Sequence, residues 1–100
     1  MITEADIWEI VYDLHAKLLK TWSKKEQNLF FFGPYTDQSQ LIQYHSTLGR
    51  YIRNEYKLWD YEWTSEICDG EDRSPYHPDN LSFEIIKRVW KLGPNKVENG

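Results

Sequence analysis

The stretch HSTLGRYIRNEYKLW, residues 45–59, decides how this chain is read. At 100° per residue, with His45 as zero, Leu41, Leu48, Ile52, Tyr56 and Trp59 all fall between about −60° and +20°. That seam predicts an amphipathic helix. Asp37, a good N-cap with Gln40 three residues on, sets its start, so a central helix is expected from Asp37 to Trp59. Arg53 lies on the border of the seam, while Asn54 and Leu58 point away from it. A large apolar residue on that far side predicts that the following loop folds back as a covering layer. Gly49, inside the helix, costs about 1 kcal/mol relative to Ala, which points to close approach of another backbone or a flat ring.

On the N-terminal side, Thr3-x-x-Asp6 is a helix-start signal, and Ile7, Val11, Leu14 and Leu18 share one face. Trp8, His15, Leu19 and Trp22 widen that stripe. A helix from Glu4 to Trp22 is therefore expected, with a face broad enough for more than one neighbour. Ser23 and Glu26 form a second capping box that restarts the chain as a short helix over Lys24–Phe31, preferred to a short strand through Leu-Phe-Phe-Phe because no second strand is evident to pair with it, and ended by Gly33-Pro34. Residues 60–78 show no sustained period and contain Asp69-Gly70 and Ser74-Pro75, which reads as a long loop. A last helix is expected from Asp79, taken as its N-cap, to Leu92, where Gly93-Pro94 stops it. The expected fold is all-α: a small bundle of three main helices plus one short helix, with a long irregular loop before the last helix. Residues 1–93 form one helical domain, and the polar stretch 94–100 forms a flexible tail.

Composition narrows the function classes. The formal net charge is −4, from sixteen acidic and twelve basic residues, which argues against a nucleic-acid binder. A basic patch from Lys24, Lys25, Arg50, Arg53 and Lys57 would have to overcome that acidity. The single cysteine, Cys68, permits no internal disulfide and fits a reducing compartment, so the expected location is the cytoplasm. No apolar run reaches the length of a membrane span. The three histidines lack short spacing and Cys68 has no cysteine partner, so no metal and no cofactor is expected. Asp60, Glu62, Glu66, Asp69, Glu71 and Asp72 make the long loop acidic without the spacing of a calcium loop; it is a solvated segment or a docking surface for a basic partner.

Five residues form the candidate polar cluster: His45, Arg53, Asn54, His77 and Asp79. In the structural reading, Asp79 caps the last helix and pairs with Arg53, pinning two helices together. In the chemical reading, His45, Arg53, His77 and Asp79 converge on a pocket where arginine clamps an anion and histidine moves protons. The structural reading has the better prior, since acid–base catalysis needs geometry that spacing alone does not supply.

Leu48-Gly49-x-x-Ile52-Arg53-Asn54-x-x-x-Leu58-Trp59, followed by His77-Pro78-Asp79-x-x-Ser82, resembles a family of small bacterial proteins of unknown function. The resemblance covers residues 45–90, about half the chain. It implies a bacterial origin and groups Arg53, Asn54, His77 and Asp79 in one unit, but brings no activity with it. Size, acidity, abundant Trp and Tyr and the lack of a catalytic motif favour a protein-interaction module, of accessory or immunity type, over an enzyme. The alternative is a small enzyme or anion-binding domain built on the Arg/His/Asp cluster.

Overall fold

The computed structural model describes residues 1–32, 41 and 44–94. Helix α1 spans Glu4–Thr21, and its start is the capping box expected from the sequence. The Asp6 amide donates to Thr3 Oγ1 at 3.1 Å, and the Thr3 amide donates to the Asp6 carboxylate at 3.0 Å. These bonds satisfy amide groups that the first helical turn leaves without partners. Ile7, Val11, Leu14 and Leu18 are buried as their spacing requires, joined by Ile10 and His15. Helix α2, Lys24–Phe32, begins with the second capping box, in which the Glu26 amide donates to Ser23 Oγ at 3.1 Å. The Gly33-Pro34 break and the Asp37 start lie outside the described residues.

The central helix is much shorter than its apolar seam suggests. Helix α3 runs only over Leu48–Glu55. Lys57 then adopts a left-handed conformation, φ 51° and ψ 48°, and the chain continues as a single 3₁₀ turn, Leu58–Asp60. This break reverses two expectations. Leu58 is turned inward and is fully buried, whereas Trp59, placed on the core seam by a continuous helix, is 52% exposed. Asn54 stays exposed, so the segment after Trp59 leaves it uncovered.

Helix α4 spans Pro78–Leu92 and is the element that packs against both α1 and α3. Leu81, Ile85, Ile86 and Val89 lie in the core together with Ile7, Val11 and Leu14 of α1 and Ile52 of α3. The bundle is therefore centred on α4, not on the helix through residues 45–59. Asp79 is not its N-cap. His77 holds that position, its Nδ1 accepting from the Asp79 amide at 3.2 Å, and Pro78 occupies the first turn, where its missing N–H costs nothing.

Long-range polar contacts tie α1 to the other helices. Arg88 donates to both carboxylate oxygens of Glu4, at 2.9 and 3.3 Å, while its guanidinium lies 4.9 Å from the Trp8 ring centroid. Buried His15 contacts the Gly93 carbonyl through Nε2 at 2.7 Å, so this histidine donates within the core. Tyr56 donates its hydroxyl to Asp13 at 2.6 Å, fastening the end of α3 to α1. Burial, with that bond second, pushes the Tyr56 phenol well above its ordinary range.

The segment before α4 is ordered where the sequence suggested an irregular loop. It contains a small antiparallel hairpin, β1 (Ile67–Cys68) and β2 (Glu71–Asp72), with Ile67 opposite Asp72 and Cys68 opposite Glu71. Asp69 and Gly70 make the turn with φ of 52° and 80°, the two positive values that a tight two-residue hairpin needs.

Because α4 meets two neighbours, truncation at its centre leaves a cavity that cannot collapse from one side. Ile85→Ala is expected to destabilise the protein by about 2–5 kcal/mol, measured by urea denaturation. A cost below 1 kcal/mol would contradict the central placement of α4.

Candidate functional site

Arg53 organises the junction between α3 and α4. Its side chain is 14% exposed, and Nη1 donates to Ser82 Oγ at 3.0 Å, while the Ser82 hydroxyl donates to the Asp79 carbonyl at 3.0 Å. Nε lies 3.5 Å from Asp79 Oδ1, a looser ionic contact with a half-exposed carboxylate. The pair foreseen from the spacing is thus present, with Ser82 as an added partner. Gly49 explains how the guanidinium fits. A Cβ at Gly49 would stand 3.0 Å from Arg53 Nη1 and 3.5 Å from Ser82 Oγ. The glycine makes room first for a side chain of its own helix, with Ser82 of α4 next and the His45 ring, at 3.8 Å, third.

His45, His77 and Asp79 meet at one polar pocket of about 390 Å³, completed by Glu71, Asp72 and Asn80. Arg53 does not line the pocket but contacts it through Asp79. Asn54 is separate, exposed on the outer face of α3. Four of the five candidate residues are therefore neighbours. Their surroundings are acidic: Glu71, Asp72 and Asp79 all line the pocket. Among the described residues, no group of three or more His, Cys, Asp or Glu side chains is placed to hold a metal ion.

Beside the pocket, and sharing His77 with it, stands an aromatic triad that the sequence reading missed. Trp59 and Trp63 lie edge to face with centroids 6.0 Å apart, and His77 sits 5.4 Å from Trp59 and 5.3 Å from Trp63. The His77 cap holds the imidazole in place, since Nδ1 is committed to the Asp79 amide. Asp72 holds Trp63. Its Oδ2 accepts from the indole Nε1 at 3.0 Å, and its Oδ1 accepts from the amides of Ser74 at 3.0 Å and Glu66 at 3.1 Å. Hydrogen bonds to the charged form favour ionisation. The Ser74 amide first, then the Trp63 indole and the Glu66 amide, hold the Asp72 carboxyl far below the usual carboxylate range. Asn80 joins the loop to α4, donating to the carbonyls of Ser74 at 2.9 Å and Asp72 at 3.1 Å. Asp69-Gly70 was a legible sign of the hairpin; no motif marks Asp72 as its anchor.

A larger apolar groove, about 650 Å³, lies between α1 and the start of α3, with Leu14, Leu18, Trp22 and Leu48 among its lining residues. Of the two lysines on its rim, Lys17 is already engaged by Asp13 at 3.0 Å and Glu55 at 3.7 Å. The groove thus has a hydrophobic floor, and one of its two rim lysines is held in ion pairs.

Two outcomes test this geometry. Gly49→Ala should show its helix gain, about 0.5–1 kcal/mol, in full only in an Arg53→Ala background. In the wild type, the displaced guanidinium offsets part of it; equal gains in both backgrounds would remove the role assigned to Gly49. Asp72 supplies a pH test. A carboxyl with a depressed folded-state pKa stabilises above its unfolded value, near 3.9, and loses that contribution as pH falls through the folded value. The Trp63 indole N–H resonance should therefore keep its folded position through about pH 4 and move only on stronger acidification. In Asp72→Asn it should already be displaced at neutral pH, with the helical circular dichroism retained.

A family model described as "Domain of unknown function (DUF6794)" matches residues 10–92. No curated protein and no solved structure matches the chain. The match spans α1 from Ile10, the whole Arg53 junction, the hairpin and α4 to its last residue. The chain belongs to the DUF6794 family, whose function is unknown.

Proposed function

We propose that this protein is a small bacterial, cytoplasmic protein-interaction module that binds without catalysis, and that the Trp59–Trp63–His77 face is where it binds. The observation that carries this reading is a half-exposed tryptophan packed against two rings that are themselves hydrogen-bonded in place. Trp59 leaves 52% of its surface in water, yet two aromatic neighbours fix its ring, and Asp72 and the α4 cap fix those neighbours. Ordering a surface side chain in advance lowers the entropy cost of binding, and tryptophans in such positions dominate interface energies. Trp59 is not alone in this segment, since Ile67 is 67% and Tyr61 36% exposed.

The Arg53 geometry gives the anion-binding alternative less support. The guanidinium is already committed to Ser82 and Asp79, and it is mostly buried. An incoming anion would have to displace Ser82 and stand among Glu71, Asp72 and Asp79, all of the wrong sign.

The test is capture from the native cell with three immobilised proteins. The wild type should retain a stoichiometric partner, Trp59→Ala should lose it by roughly tenfold or more, and Trp8→Ala, which changes an exposed ring on α1, should retain it. Equal retention by Trp59→Ala, or no partner in any arm, would overturn the assignment of this face.

A further inference from the structure

Charge is distributed unevenly along this chain. Residues 60–79 hold seven carboxylates, the six of the loop and Asp79, against one cation, Arg73, giving −6 where the whole chain carries −4. The rest of the molecule is therefore slightly positive, and the acidity belongs to the segment that carries Trp63 and His77, with Glu71, Asp72 and Asp79 lining the pocket beside His77. Among the described residues, two of these carboxylates meet a cation. Arg73 lies 3.6 Å from Glu71 in an exposed pair, and Arg53 reaches only Asp79. Exposed pairs of this kind contribute little and are easily exchanged. Asp72 differs, because its oxygens are committed to the loop amides and the Trp63 indole while its charge remains. The loop fold thus fixes a negative charge beside an indole, at the wall of a 390 Å³ pocket that two further carboxylates line.

Resting on that reading of the Trp59 face, we infer that its partner is a protein presenting a cationic segment. One Arg or Lys side chain crosses the Trp59 indole and carries its charge to the carboxylates beside His77. Both contacts are of a kind that an aromatic surface next to carboxylates provides. The face of an indole attracts a guanidinium or ammonium within about 6 Å, and Arg stacks there better than Lys. The pocket, 390 Å³ and polar, accepts a charged head group together with water. The acidic segment also steers a basic partner before contact, an effect that salt screens.

The probe is a nona-arginine peptide added to the ¹⁵N-labelled full chain, with nona-lysine and nona-glutamate as comparisons. Nona-arginine should saturate, moving the indole N–H signals of Trp59 and Trp63 and the amides of residues 66–79, and leaving the indoles of Trp8, Trp22 and Trp90 in place. Nona-lysine should bind the same face more weakly and nona-glutamate not at all. Affinity should fall several-fold between about 50 and 200 mM salt. Glu66→Gln with Glu71→Gln should weaken binding by roughly fivefold or more, whereas Glu9→Gln with Glu55→Gln, an equal charge change elsewhere, should not. Shifts spread over the whole surface, or equal losses in the two double variants, would overturn the inference. So would failure of both basic peptides to bind, and if Trp59-dependent capture of the native partner persists, the docking face stands and only its charge preference falls. If that capture does not depend on Trp59, the docking face and this inference fall together.

Discussion

Helix α4 must be shielded from water on two sides at once, and most of the molecule is arranged to satisfy that constraint. Ser82, Ile85, Ile86 and Val89 are fully buried, so α1 and α3 cannot both pack on one face of it. The apolar contacts are non-directional and set neither the depth nor the rotation of each helix. Directional bonds supply that information. Arg88 and Glu4 set α1 against α4, and Arg53, threaded past Gly49 to Ser82 and Asp79, sets α3 against the first turn of the same helix. A mostly buried guanidinium is costly unless its donors are matched, and here Ser82 and Asp79 match two of them.

The loop before α4 follows from the same constraint. Once the first turn of α4 is fixed, His77 is fixed as its cap, and the ring that caps the helix also supports Trp59 and Trp63. A helix-capping group thereby becomes part of an exposed aromatic surface. Asp72 completes the arrangement from the other end, by taking up the amides that a sharply folded loop would otherwise leave unpaired.

Local signals were legible in the sequence wherever a short pattern suffices. Thr3 with Asp6 and Ser23 with Glu26 each announce a helix start through a bond reaching three residues ahead, and both bonds are present. The Arg53–Asp79 pair was legible because one wheel position and one helix start bring the two residues to a common border. The break at Lys57 was not. Lysine is a good helix former, and its left-handed conformation is disfavoured locally; burial of Leu58 and the edge-to-face contact of Trp59 with His77 depend on parts of the chain about twenty residues away. The identity of the α4 cap was available but misassigned. Proline favours the first helical position, so Pro78 already implied His77, rather than Asp79, as the residue before the helix. Asp72 had no signal at all, because its role depends on a hairpin too short and too polar to show an alternating pattern.

The Asp72 bonds span two, six and nine residues, whereas Arg88 reaches Glu4 across 84 and His15 reaches Gly93 across 78. Loop-closure entropy rises with the length of chain enclosed. The aromatic surface is therefore assembled from contacts that close small loops, while attachment of the first helix closes nearly the entire polypeptide. Order within the loop thus costs little closure entropy, whereas most of that cost falls on attaching α1 to the rest of the bundle.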